Sequence, residues 1–148
     1  MRTLVLGLGN DLVADDGVGI AVAEAVAPRI RGRAEVQTSS LHGLALLDEL
    51  LGYERVILID ACRTGSRRPG TIFELTLADL SPVVVPSPHY SGLPEMFAMA
   101  ALLGLDFPKD VRILAVEAAD LETVGGSMTP AVRATIPSLC TRILQLLS

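Results

Sequence analysis

Gly7-Leu8-Gly9-Asn10-Asp11-Leu12-Val13-Ala14-Asp15-Asp16-Gly17-Val18-Gly19 is the stretch whose reading decides the fold. An apolar run over residues 3–6 leads into it, as a strand would. Beyond it Val18, Val22, Val26 and Ile30 recur every four residues, which draws one apolar stripe along a helix. The glycines allow a sharp turn and close backbone approach. Strand, glycine turn and helix make one unit, and Asp15 and Asp16 fall in the loop between them. Open α/β sheets place their sites in such loops, beyond the carboxyl ends of the strands.

The rest of the chain repeats the alternation. Residues 34–38 read as a short strand, and Leu44, Leu47 and Leu51 place a stripe on a second helix closed by Gly52. Residues 55–59 hold Val-Ile-Leu-Ile, the uninterrupted apolar run of a central parallel strand covered on both faces, and it ends at Asp60. After the Pro69-Gly70 turn, residues 71–75 predict an edge strand running antiparallel to its neighbour. Three prolines in residues 81–88 mark an extended connection. His89 to Gly92 then opens a third helix with the stripe Leu93, Met96, Phe97 and Ala100, stopping at Gly104. Residues 111–116 form the last core strand, ending at Glu117. Residues 118–128, with Gly125-Gly126, read as a mobile loop. Thr129-Pro130 is a helix start with Thr as cap and Pro first. Pro137 interrupts the pattern Val132, Ile136, Leu139, Ile143, Leu146 and should kink or split that helix. Strands alternating with helices predict an α/β fold: one three-layer domain over residues 1–148, a mostly parallel sheet with helices on both faces.

Composition narrows the function. Half of the 148 residues are hydrophobic and 20% are charged, as in a compact domain. The net charge of −5 argues against nucleic acid or anionic lipid as the main partner. No apolar run is long enough to span a membrane, and Gly7-Leu-Gly-Asn-Asp interrupts the N-terminal run too early for a signal peptide. Cys62 and Cys140 form no CxxC pair, so two ordinary thiols in a reduced, cytoplasmic protein are expected, and because nothing in the sequence marks a large exposed apolar patch, so is a monomer.

Three side chains converge on one rim in this reading: Asp16 after the first strand, Asp60 at the end of the third, and His89 before the third helix. Two carboxylates and an imidazole are competent ligands for nickel, zinc, iron or manganese, and the lack of cysteine disfavours a closed structural zinc site. Each also has a plainer role available, as a helix cap, a turn cap or a surface histidine. His42 and Glu117 lie near the same rim as further candidates. Other chemistries fit less well. No G-x-S-x-G elbow is present for a serine nucleophile, and no H-E-x-x-H pattern for a self-contained zinc protease. Adjacent carboxylates such as Asp15 and Asp16 seldom face each other as a dyad. The dinucleotide fingerprint fails at Leu12, and acids follow where a pyrophosphate would sit.

The motif from Gly7 to Gly19 resembles the N-terminal signature of the hydrogenase maturation proteases. The likeness continues through Val56-Ile-Leu-Ile-Asp60-Ala61, Pro69-Gly70-Thr71, His89 at the head of a helix, and Gly126-Ser-Met-Thr-Pro130. It implies a twisted, mostly parallel five-stranded sheet, with Asp16, Asp60 and His89 as nickel ligands and Asp16 as a catalytic candidate. It implies an endopeptidase that removes the C-terminal extension of a nickel–iron hydrogenase large-subunit precursor after nickel insertion, the nickel being presented by the precursor. A checkpoint that senses nickel without cleaving is the alternative. Many members carry glutamate where Asp16 stands, and an Asp-Gly-Gly-Thr segment where this chain has Thr38-Ser39-Ser40-Leu41 followed by His42. That substitution makes His42 an extra ligand candidate and points to a different cognate hydrogenase.

Overall fold

The fold was described from a computed structural model, over residues 2–41, 43–80 and 92–148. His42 and the whole of residues 81–91, including His89 and the proline-rich connection, lie outside the described residues.

Five strands form one sheet in the order β2-β1-β3-β5-β4: β1 Thr3–Leu8, β2 Glu35–Ser39, β3 Arg55–Cys62, β4 Ile72–Leu75 and β5 Asp110–Glu117. The pairs β1–β2, β1–β3 and β3–β5 are parallel, while the edge strand β4 runs antiparallel to β5. This matches the sequence reading of both the parallel core and the antiparallel edge. β3 is buried from Val56 to Cys62, so its continuous apolar run is covered on both faces.

Period-two alternation sends the strand side chains into two cores. On one face Leu4, Leu6 and Leu8 of β1 meet Val56 and Leu58 of β3, covered by α2 (Leu47–Leu50) and α3 (Leu93–Leu102). On the other, Val5, Ile57, Ile59, Leu114 and Val116 meet α1 (Val18–Val26) and α5 (Ile136–Leu147). The stripe Val18, Val22, Val26 and Ile30 is wholly buried, as its spacing requires. In α3, Leu93, Met96 and Ala100 are wholly buried and Phe97 packs partly buried.

Three local expectations change. The second helix begins as a 3-10 turn, Gly43–Leu46, and the tighter winding shifts the stripe. Leu46 and Leu50 are buried, while Leu44 and Leu51 are exposed. Pro137 splits the last helix outright into α4 (Pro130–Arg133) and α5, and then occupies the first turn of α5, where its missing N–H costs nothing. Finally, Met99, Leu102, Leu103 and Leu105 lie exposed at the end of α3, an apolar surface that the sequence reading did not anticipate. Among the described residues no helix is long and apolar enough to cross a membrane.

Candidate active site

The strand order creates the site. From β1 the chain moves outward to β2, and from β2 it crosses back to β3 on the other side of β1. α1 therefore lies on one face and α2 on the opposite one, which makes the carboxyl ends of β1 and β3 the switch point where open α/β sheets place their sites. Asp16 comes from the loop that leaves β1, and Asp60 from the end of β3.

Asp16 sits in a 3-10 turn, Ala14–Gly17, that leads directly into α1. Its Oδ2 accepts the Asn10 N–H at 2.9 Å, and its own N–H donates to the Val13 carbonyl at 2.8 Å. Gly9 makes this close approach feasible: at φ +144° its α-carbon lies where a Cβ would come within 1.9 Å of the Asp16 carbonyl oxygen. Asp16 is half-buried. Asp60 is fully buried, pairs with Ala115 of β5 in the parallel ladder, and shares its strand face with Val56 and Leu58. α3 packs on that same face.

The neighbouring acids have separate roles. Asp15, fully buried, does not cap its own helix. Its carboxylate accepts the N–H groups of Ala119 (2.8 Å), Asp120 (2.9 Å) and Thr129 (2.7 Å), and the Thr129 hydroxyl (2.8 Å). Thr129, expected to cap α4 with its side chain, spends that hydroxyl on Asp15 instead. Glu117, at the end of β5, accepts the Thr64 N–H at 2.9 Å and the Gly65 N–H at 3.3 Å, fixing the turn after β3. Desolvation, followed by the charges of Glu117 and Asp60, pushes the Cys62 thiol up to about 12. Cys62 and Cys140 are both free and buried.

The segment 118–128 also differs from expectation. Val124 forms an antiparallel bridge to Val13, and the Gly125 N–H donates to the Leu12 carbonyl at 2.7 Å. With the Asp15 bonds, these contacts tie to the Asp16 turn a loop that its glycines had suggested would be mobile. Leu12 and Val124 stand exposed at this edge.

Of the residues expected from sequence, Asp16 follows β1 and Asp60 lies near the end of β3, and these two strands are parallel neighbours. Sequence reasoning missed Asp15 as a clamp, and the adjacency to Asp16 held no signal of it. Among the described residues no three histidine, cysteine, aspartate or glutamate side chains form a metal-holding group. The expected set has two described members, both oxygen donors, and its third, His89, lies outside the described residues.

A family model described as hydrogenase maturation protease matches residues 22–146. The hydrogenase 2 maturation protease of Escherichia coli K12 is 30% identical to this chain, over 97% of it and 89% of that protein. The hydrogenase expression/formation protein HupD of Bradyrhizobium diazoefficiens is 34% identical, over 93% of this chain and 74% of that protein. The solved structure of the hydrogenase maturating endopeptidase HybD from E. coli superposes with a TM-score of 0.84, at 29% identity, covering 99% of this chain and 92% of that one. On these matches, which run almost end to end, the chain belongs to the hydrogenase maturation protease family.

Proposed function

We propose that this protein is an endopeptidase that removes the C-terminal extension of a nickel–iron hydrogenase large-subunit precursor once nickel has been inserted. The observation that carries the reading is the pair Asp16 and Asp60, which follow or close the adjacent parallel strands β1 and β3 at the switch point of the sheet. The two E. coli relatives are named as a maturation protease and a maturating endopeptidase, which supports hydrolysis as the reaction.

Nickel enters as part of the substrate. Asp16 and Asp60, with His89, are the residues that meet it, and their oxygen and imidazole donors suit a divalent first-row ion. Two carboxylates leave coordination positions for the ligands that the precursor itself supplies. Bound there, the ion would polarise the scissile carbonyl. Asp16 takes the proton of the attacking water, because it is half-buried and reachable whereas Asp60 is fully buried. The Asn10 N–H on Asp16 Oδ2 orients that carboxylate. The proton then passes to the departing amine, giving a shortened subunit and a free C-terminal peptide. The enzyme works as a single domain and a monomer on its precursor in the cytoplasm, a reading in keeping with its free thiols.

Mass spectrometry of the cognate precursor, nickel-loaded and nickel-free, tests this with wild type and Asp16→Asn. The expected result is loss of a C-terminal peptide from the loaded precursor alone, and with wild type alone. Binding of the loaded precursor with no mass loss would overturn the peptidase and leave a non-cleaving nickel checkpoint.

A further inference from the structure

The Asp15 carboxylate is fully buried and saturated with donors, all of them from residues 119–129. Its own N–H donates to the Asp120 carbonyl at 2.9 Å, so the two segments grip each other from both sides. One residue before it, Ala14 has φ +28°, the only positive φ at a non-glycine among the described residues. A left-handed alanine persists only where its surroundings hold it. One residue after it comes Asp16.

The gripped loop is in turn fixed to β3. The Ala118 N–H donates to the Cys62 carbonyl at 2.8 Å, two residues beyond Asp60. A continuous path of short hydrogen bonds thus runs from the turn that carries Asp16, through Asp15, to the end of the strand that carries Asp60.

We propose that Asp15 is the positioning residue of this site: its buried carboxylate sets the separation of Asp16 from Asp60. It does so by tying the Asp16 turn to the loop that leaves β5 beside the end of β3. Asp15 touches neither substrate nor metal in this role. The inference rests on the proposed cleavage for its functional consequence, but not for its structural one.

Asp15→Asn keeps the side-chain shape and puts an amide NH2 against backbone N–H donors, which breaks at least one arm of the grip. The Asn10 amide reports the outcome, because it donates to Asp16 Oδ2. Hydrogen exchange is followed by NMR on the metal-free protein, and cleavage on the nickel-loaded precursor, at a temperature where every variant is folded. In Asp15→Asn, exchange should rise at least tenfold at Asn10, Ala119, Asp120 and Thr129, with Leu58 protected as in wild type, and cleavage should fall at least tenfold. Ile143→Val, a core change in α5, should leave Asn10 as it is in wild type. The proposal is overturned if folded Asp15→Asn keeps wild-type exchange at Asn10, or if Ile143→Val reproduces the change there. Should Asp15→Asn fail to fold, Thr129→Ala removes one donor; Asn10 exchange should rise about threefold, and no rise overturns the proposal. If Asn10 responds but wild type does not cleave the loaded precursor, the positioning role stands and the peptidase reading falls.

Discussion

The α-carbon of Gly19 rests against the carbonyl oxygen of Ile59, so closely that a Cβ there would lie 2.4 Å from it. The same Cβ would lie 2.4 Å from the Leu8 carbonyl. α1 thus packs on the ends of β1 and β3 without an intervening side chain, within three residues of Asp16 and one of Asp60. Neither contact is a flexible side chain that could swing away. Gly19→Ala should therefore destabilise the protein by about 3 kcal/mol, read as the shift in urea midpoint at constant slope, and should lower cleavage even where the variant remains folded. A variant as stable as wild type would show that α1 can lift without cost.

Glu117→Gln tests the turn beyond Asp60. The buried carboxylate accepts two backbone N–H groups and the Thr64 hydroxyl, and an amide would present a donor to one of them. A loss of about 1–3 kcal/mol is expected in chemical denaturation, with Thr64 and Gly65 amides losing exchange protection. Unchanged stability would mean that the turn holds its shape without this acceptor.

Asp60→Asn should keep the fold and abolish cleavage. The substitution preserves shape in a fully buried position and removes the negative charge that would meet the precursor's nickel. Circular dichroism should be unchanged while processing falls at least about 100-fold, a loss of roughly 3 kcal/mol in transition-state stabilisation. Processing within threefold of wild type would remove Asp60 from the ligand set.

The Cys62 thiol should resist modification in the metal-free folded protein. With its ionisation pushed up to about 12 from 9.0, native Cys62 is protonated at pH 8, and it is shielded by burial. Folding raises this value, so the folded state holds the proton more tightly. The stability it contributes is complete below pH 9 and is lost as pH rises from about 9 to about 12. Ellman's reagent should therefore label Cys62 only after unfolding, and Cys62→Ala should flatten the alkaline decline in stability. Rapid native labelling of Cys62 would contradict its burial.

How much of this was readable in the sequence depended on the distance over which each residue acts. Val18, Val22, Val26 and Ile30 announced α1 because one helix face has one spacing. Asp60 was legible because a wholly apolar strand has few ways to end. The stretch Leu41–Leu51 misled, because leucines occupy several helical phases there and a 3-10 turn chose between them. Asp15 was opaque for another reason: its partners lie 104 to 114 positions away, and nothing local distinguishes a clamp from a cap. The loop at Gly125-Gly126 looked free because its tethers, Leu12 and Val13, are equally remote. His42 and His89 fall outside the described residues, so the sequence remains the basis for placing them at the site.

The position of β5 carries a consequence for how the protein comes into being. β3 and β4 are consecutive in the chain, yet β5 is seated between them, pairing with both. While the chain emerges from the ribosome, β4 has no lasting partner until β5 has also been made, more than thirty residues later. The Asp15 grip then waits for Thr129, more than fifty residues beyond β4. A nascent chain therefore carries both Asp16 and Asp60 long before it can hold them in place, and a working site appears only once Thr129 has been made. For a protein that cuts other proteins, that order of events is a built-in silence during its own birth.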